Sequence, residues 1–301
     1  MRKLHAVTIN GETFSARSGQ LILDAAMLNG VELPHDCRAG QCGTCLGRVL
    51  RGITLGGETL QPGMVHTCQA RVFSSLELAV DDLPPPGLVD ARAIGINDLT
   101  HDVAEVILEP AKPLKWLPGQ YCRFAFHGFP SRAYSPTAPL DGSAAPGQIR
   151  LNVKRVRDGR VSSKLGRQIL PGHKVRIEGP YGHAFLRPAR GGRLVLVAAG
   201  TGFAPIWAIA TAALRKNPYR EIVLIVGVGS LASCYMAGAL EFASTFPNVR
   251  VILSVDKLHP AMSKLRSGPP CDHLPDLMPH DVVFSAGAPA MVAKVAAQAS
   301  A

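Results

Sequence analysis

The sequence predicts a multidomain chain of three successive fold classes: a small α+β block, an antiparallel β-barrel block, and an α/β block on a parallel sheet. Three observations carry this expectation. A hairpin signal and one short helix occupy the start, short strands divided by Gly and Pro turns follow, and from Arg193 apolar strands alternate with helical stretches. With 301 residues, 47% of them hydrophobic and 18% charged, the chain has enough apolar material for two or three cores.

The first block spans 1–82. His5 to Ile9 alternates, Asn10-Gly11 is a strong hairpin turn, and a second strand runs to about Ala16. Leu21 to Asn29 predicts a helix with Leu21, Ala25 and Leu28 on one face and Gly30 as its stop. Residues 83–87, at the end of Asp81-Asp82-Leu83-Pro84-Pro85-Pro86-Gly87, read as a stiff Pro-rich linker. Strand signals at Tyr121 to Phe126, Ile149 to Val153 and Val175 to Ile177 then place a barrel or sandwich at 88–190. Strands at Leu194 to Ala199, Ile222 to Val228, Val251 to Val255 and Val282 to Ala286 predict the parallel-sheet block at 191–301.

Charge is unevenly distributed. Up to Asp82 there are 7 Lys or Arg against 8 Asp or Glu, and after it 25 against 14, so the +10 total lies downstream. The densest stretch, Lys154 to Arg167, is interleaved with Val and Gly rather than with aromatics that stack on bases, which argues against nucleic acid. Leu194 to Leu214 is uncharged over 21 residues, but Gly200-Thr201-Gly202 and Pro205 interrupt it, so a buried strand, turn and helix is favoured over a membrane span. The start turns polar too soon for a signal peptide. Seven cysteines, four of them between Cys37 and Cys68, are unlike a secreted disulfide framework, and cytoplasm is the expected compartment.

Those four carry the most specific signal. Cys37, Cys42, Cys45 and Cys68 have the spacing C-x4-C-x2-C…C of a plant-type 2Fe-2S cluster. Gly40 and Gly43 allow backbone N–H groups to approach the sulfurs. A structural zinc site is the nearest alternative, but it draws on paired C-x2-4-C knuckles and only one such pair exists here. Cys122, Cys234 and Cys271 are assigned to packing or surface.

Further motifs point beyond the cluster. Arg132-Ala133-Tyr134-Ser135 lies in the second block with Gly159-Arg160-Val161-Ser162-Ser163 and Gly179-Pro180-Tyr181-Gly182. Gly200-Thr201-Gly202-Phe203-Ala204-Pro205 sits where a strand gives way to a helix, and Gly287-Ala288-Pro289-Ala290-Met291-Val292 lies near the end. In order and motif the chain resembles the ferredoxin–NAD(P)H reductase-like electron-transfer components of bacterial aromatic-ring-hydroxylating dioxygenases.

That resemblance implies a β-grasp ferredoxin domain, an FAD-binding β-barrel and a nicotinamide-binding domain. It implies that Tyr134 and Ser135 lie against the flavin while Arg132 reaches a phosphate, and that Gly159, Val161, Ser162 and Ser163 form a pyrophosphate turn at a helix start. It also implies that Gly200, Thr201, Gly202, Pro205 and Gly287 receive the dinucleotide, with Thr201, Tyr134 and Ser135 nearest the reacting rings. Ala286 replaces a cysteine usual in the family, so slower hydride transfer is expected. Relatives run on beyond the position of Ala301, so an incomplete last domain is expected too. Gly229-Ser230 offers no guanidinium for a 2′-phosphate, which favours NADH over NADPH. The implied function is electron transfer from NADH through FAD and the cluster to a Rieske-type oxygenase or an intermediary ferredoxin. The alternatives are service to a di-iron monooxygenase or sugar dehydrase, or a relay subunit without its own NADH turnover.

Overall fold

The computed structural model describes every residue except 1–2, 36–37, 41–43, 60–61, 82–83, 85, 188–191, 257–264 and 300–301. The chain divides into two compact units, Met1–Leu83 and Pro84–Ala301.

In the first unit, β1 (Leu4–Ile9) and β2 (Glu12–Arg17) form the hairpin, turning through Asn10 and Gly11 at φ of 50° and 90°. The helix α1 (Ile22–Leu28) buries Ile22, Leu23, Ala25 and Ala26. Leu28, expected on the buried face, is 78% exposed, because a helix of under two turns carries its last residue past the sheet edge. Strands β3 (Leu46–Arg51), β4 (Thr54–Leu55), β5 (Met64–His66), β6 (Arg71–Val72) and β7 (Leu76–Val80) complete the unit. Its sheet has the order β2-β1-β7-β3-β5, with β1 and β7 parallel and the other pairs antiparallel, and it grasps α1 through Val7, Ile9, Ile22, Leu23 and Leu78. A ribbon of β4 and β6 lies beside it.

The second unit begins with β8 (Gly87–Asp98), β9 (Val103–Pro110), β10 (Tyr121–Phe126), β11 (Arg132–Tyr134), β12 (Ile149–Lys154) and β13 (Lys174–Tyr181). All are antiparallel in the order β11-β10-β13-β8-β9-β12, and a bridge from Thr137 to Arg150 joins the two edges, so the barrel is nearly closed. Cys122, Phe124, Phe126, Leu151, Val153, Val175 and Ile177 fill it at the spacing of two that a half-buried strand requires. Asn152 breaks that alternation, being 6% exposed on the outward face of β12.

The rest of the unit is a parallel sheet of β14 (Leu194–Ala199), β15 (Ile222–Val228), β16 (Val249–Val255), β17 (Arg266–Ser267) and β18 (Val282–Ala286), in the order β17-β16-β15-β14-β18. The helices are α2 (Phe203–Lys216), α3 (Ala237–Ser244) and α4 (Pro289–Ala299). Every residue of β15 is buried, as a strand covered on both faces should be. The uncharged run from Leu194 is β14, a turn and α2, and among the described residues no helix is long and apolar enough to cross a membrane.

Barrel and sheet share one core. Val103, Leu99, Ala138 and Leu140 join the cluster around Phe203, Trp207 and Leu224, and Trp207 donates its indole N–H to the Pro139 carbonyl at 2.8 Å. Arg193 donates to the nearly buried Asp281 carboxylate at 2.6 Å, fixing β18 beside β14 at the entry to both strands.

Candidate functional site

Three sites emerge from these elements. The first is a thiol pair. Cys45 precedes β3 and Cys68 follows β5, and the pairing of Leu46 with His66 brings them together. Both are buried, and their Sγ atoms are 3.2 Å apart without a disulfide. A tetrahedral metal holding thiolates at about 2.3 Å spaces its sulfurs by roughly 3.8 Å, so the pair, closer than that at 3.2 Å, would open slightly to serve as two ligands of one metal. The Thr67 hydroxyl donates to the Cys45 carbonyl at 3.0 Å, and Gln69 donates to Arg38 O at 2.6 Å, tying Cys68 to the preceding loop. Gly40 sits there at φ 74°, and a Cβ would come within 3.2 Å of Gln69. Cys37, Cys42 and Gly43 lie outside the described residues.

The second site is on the barrel. In β11 the register sets Arg132 opposite Phe124 and Tyr134 opposite Cys122. The Tyr134 ring packs half-buried on Phe124 with centroids 6.0 Å apart. Burial pushes its phenol up, partly offset by the Arg132 charge. Arg132, exposed, bonds the Ser131 carbonyl at 2.8 Å. A cavity of about 520 Å³ is lined by Tyr121, Arg123, Ser131, Arg132, Ala133, Tyr134 and Ser135. An aromatic wall beside two guanidinium groups suits a planar ring carrying phosphate, so these residues fit FAD.

Tyr121 and Arg123 were missed in the sequence, although they are the outward members of a strand whose Cys122 and Phe124 point in. Arg123 stands over the Tyr181 ring at 5.8 Å, and a Cβ on Gly179 would meet Cys122 Sγ at 3.0 Å, which explains the glycine in that turn.

The Gly159–Ser163 turn differs from expectation. No α-helix starts there; Ser162–Lys164 is a three-residue 3₁₀ turn, and Val161 is buried in the barrel core. Its hydroxyls serve the turn, with Ser163 donating to Gly159 O at 2.5 Å and Ser162 accepting from Val156 N at 3.1 Å. Among the described residues the turn does not line the cavity of Arg132 and Tyr134.

The third site is at the carboxyl ends of β14 and β18, where open α/β sheets bind ligands. Gly200–Gly202 is a 3₁₀ turn leading into α2; no side chain caps that helix, but the Phe203 N–H already donates to the Gly200 carbonyl and Pro205 has no N–H, so a ligand here meets the glycine turn rather than the first turn of the helix. A Cβ on Gly202 would lie 2.2 Å from Ala286 O and 2.6 Å from Gly287 N. A Cβ on Gly287, at φ 152°, would lie 2.8 Å from Met291 Cε and 3.0 Å from Ala199 Cβ. The structure thus brings Gly200, Thr201, Gly202 and Gly287 together, with Pro205 in the first turn of α2 and Ala286 touching the turn through its backbone.

Asp256, at the end of β16, was also missed. Its N–H bonds Val228 O at 3.0 Å, and its carboxylate is 4.0 Å from where a Cβ on Gly229 would lie. Of the remaining cysteines, Cys122 is buried with its thiol pushed up to about 12 by desolvation, Cys271 is buried, and Cys234 rests against Met236 Sδ at 3.6 Å.

Comparison with known proteins adds an independent line. The 2Fe-2S iron-sulfur cluster binding domain matches residues 7–73, and the oxidoreductase FAD-binding domain matches 92–185. The reductase component of the naphthalene 1,2-dioxygenase/salicylate 5-hydroxylase systems of Ralstonia sp is 32% identical across 92% of this chain and 88% of its own. The ferredoxin–NAD(+) reductase component of the Xanthobacter autotrophicus alkene monooxygenase system is 34% identical across 77% of this chain and 75% of its own. Among solved structures, an Amycolatopsis cytochrome P450 reductase superposes with a TM-score of 0.66 at 30% identity, covering 98% of this chain and 94% of that one.

Proposed function

Because the chain belongs to the ferredoxin–NAD(P) reductase components of oxygenase systems and is an NAD(P)H-dependent flavoprotein oxidoreductase, we propose that it passes electrons from NADH to a Rieske-type oxygenase or intermediary ferredoxin in aromatic hydroxylation. The observation that carries this reading is that one compact unit holds both the cavity of Arg132, Tyr134 and Ser135 and the open glycine turn at the carboxyl ends of β14 and β18.

When bound, FAD supplies a two-electron hydride acceptor and the 2Fe-2S cluster a one-electron carrier, with plant-type potentials near about −400 mV. The chain's own part is binding and alignment. Tyr134 and Ser135 form the flavin wall, and Arg132 with Arg123 meets phosphate. Thr201 and the Gly200–Gly202 turn receive the dinucleotide, and the close approach of Gly202 to Gly287 holds the turns after β14 and β18 together beneath it. Cys37, Cys42, Cys45 and Cys68 hold the cluster, and their thiols suit reducing cytoplasm. In the Gly159–Ser163 turn, Ser163 spends its proton on the Gly159 carbonyl, whereas Ser162 accepts from Val156 N and keeps its own proton to donate to the pyrophosphate, with Gly159 and Val161 setting the turn's shape.

NADH is favoured over NADPH because the Asp256 carboxylate stands beside Gly229, where it repels a 2′-phosphate and can accept from a 2′-hydroxyl. Gly229→Arg combined with Asp256→Ser is expected to move the ratio of kcat/KM for NADPH over NADH by about tenfold or more. An unmoved ratio would remove Asp256 from cofactor choice. Arg132→Ala should weaken FAD retention about tenfold, measured as flavin released on gel filtration, and full retention would withdraw that assignment.

The overall test is an anaerobic NADH titration followed through the flavin and cluster bands. Both should bleach. Reduction by dithionite but not by NADH would instead favour a relay subunit, to which Ala286 in the usual cysteine position already points. A monooxygenase partner is the second reading, favoured by the likeness to the alkene monooxygenase reductase, and reconstitution with each class of terminal enzyme separates the two.

A further inference from the structure

Where the barrel meets the turn after β14, polar groups from three elements converge in a dry setting. Tyr235 is 7% exposed, its ring stands edge-on to Phe203 at 6.2 Å, and its hydroxyl donates to the Gly200 carbonyl at 3.4 Å. Asn152, the buried residue on the outward face of β12, lies against that hydroxyl, although neither of its amide atoms completes a hydrogen bond. A buried amide is costly without a partner. Burial also pushes the Tyr235 phenol up, so the hydroxyl stays a neutral donor at working pH.

Satisfiability fixes the direction of the contact. A phenol has one proton and free lone pairs, so once it donates to Gly200 O it can only accept from the Asn152 N–H. A completed series would run from Asn152 N–H to Tyr235 O–H to Gly200 C=O; its last link is made in this structure and its first is not. It runs from the barrel strand to the first residue of the turn that the function above assigns to the dinucleotide. At 3.4 Å the last link is near the long limit, so the series is drawn out and closes with a small approach of turn to barrel.

We propose that Asn152 and Tyr235 are positioning residues for the nicotinamide cofactor, registering the Gly200–Gly202 turn against the flavin barrel through a hydrogen-bond series that tightens when a dinucleotide occupies the turn. The inference rests on the reductase reading. It assigns a task to two residues that no motif singles out.

The test uses FAD-loaded protein. Tyr235→Phe keeps the ring against Phe203 and removes only the hydroxyl, while Asn152→Leu replaces the amide by an apolar group of similar size. FAD content, the Kd of NAD⁺ by calorimetry, and the limiting rate of flavin reduction at saturating NADH are measured for each variant and for the pair. Tyr235→Phe is expected to retain FAD while weakening NAD⁺ about tenfold and lowering the limiting rate, with the double variant no worse than the single. A lower Tm with unchanged Kd and limiting rate would show a merely structural contact and sink the proposal. So would fully additive losses, since a connected series cannot be broken twice. Should Tyr235→Phe not fold, Asn152→Leu alone must produce the same shift in Kd or the proposal falls. Wild-type protein that neither binds NAD⁺ nor is reduced by NADH would overturn the reductase reading itself, and this inference with it.

Discussion

Cys68→Ser is expected to abolish the cluster's visible absorption while NADH still bleaches the flavin at close to the wild-type rate. Cys68 is buried with its sulfur 3.2 Å from that of Cys45, so serine removes half of a preformed thiol pair. Hydroxyl oxygen is a poor substitute where soft thiolate is required. Losing a mere supporting residue around a metal site costs 10- to 100-fold in affinity or activity, so losing a ligand should lower single-electron delivery to the terminal acceptor by more than about 100-fold. Flavin reduction survives because the thiol pair and the flavin cavity lie in different compact units. Visible spectra and anaerobic stopped-flow traces decide the matter, and loss of both cofactors together would contradict independent units.

Gly202→Ala should stop NADH-dependent reduction almost completely, by about 100-fold or more, while dithionite still reduces both centres. The new Cβ would stand 2.2 Å from Ala286 O and 2.6 Å from Gly287 N. Both are backbone atoms, which cannot swing aside as a flexible side chain would, so the turns after β14 and β18 must separate. The neighbouring Gly200→Ala provides the contrast. Gly200 has open space around its Cβ position but sits at φ 55°, so its cost is conformational, roughly 1–2 kcal/mol, rather than steric. If the two variants behaved alike in NADH titration, the close approach at Gly202 would not matter to the site.

The fold was largely legible because its signals are local. Three strands of the parallel sheet, Leu194–Ala199, Ile222–Val228 and Val282–Ala286, have the ends that apolar runs and flanking turns suggest: the first two are buried on both faces and so are continuous apolar segments, and the partly exposed edge strand Val282–Ala286 is bounded by its flanking turns. Leu28 was misplaced because a short helix obeys its sheet more than its own period. The 3₁₀ turn at Ser162–Lys164 was misread because Ser-Ser after Gly-Arg-Val looks like a helix cap until its hydroxyls find bonds inside the turn.

By itself the sequence determined the order of the three blocks, the cysteine spacing, the glycine turn at a strand end and the excess of positive charge after Asp82. Each is written in residues close together along the chain, where period, turn chemistry and ligand spacing act. Only the tertiary structure decided that Tyr121 and Arg123 share a cavity with Arg132 and Tyr134, that Gly202 abuts Gly287, that Asp256 faces Gly229, and that Asn152 meets Tyr235. These neighbours are set by strand register and by the common core of barrel and sheet. A contact between residues many tens of positions apart depends on how whole faces pack, and no local pattern encodes it.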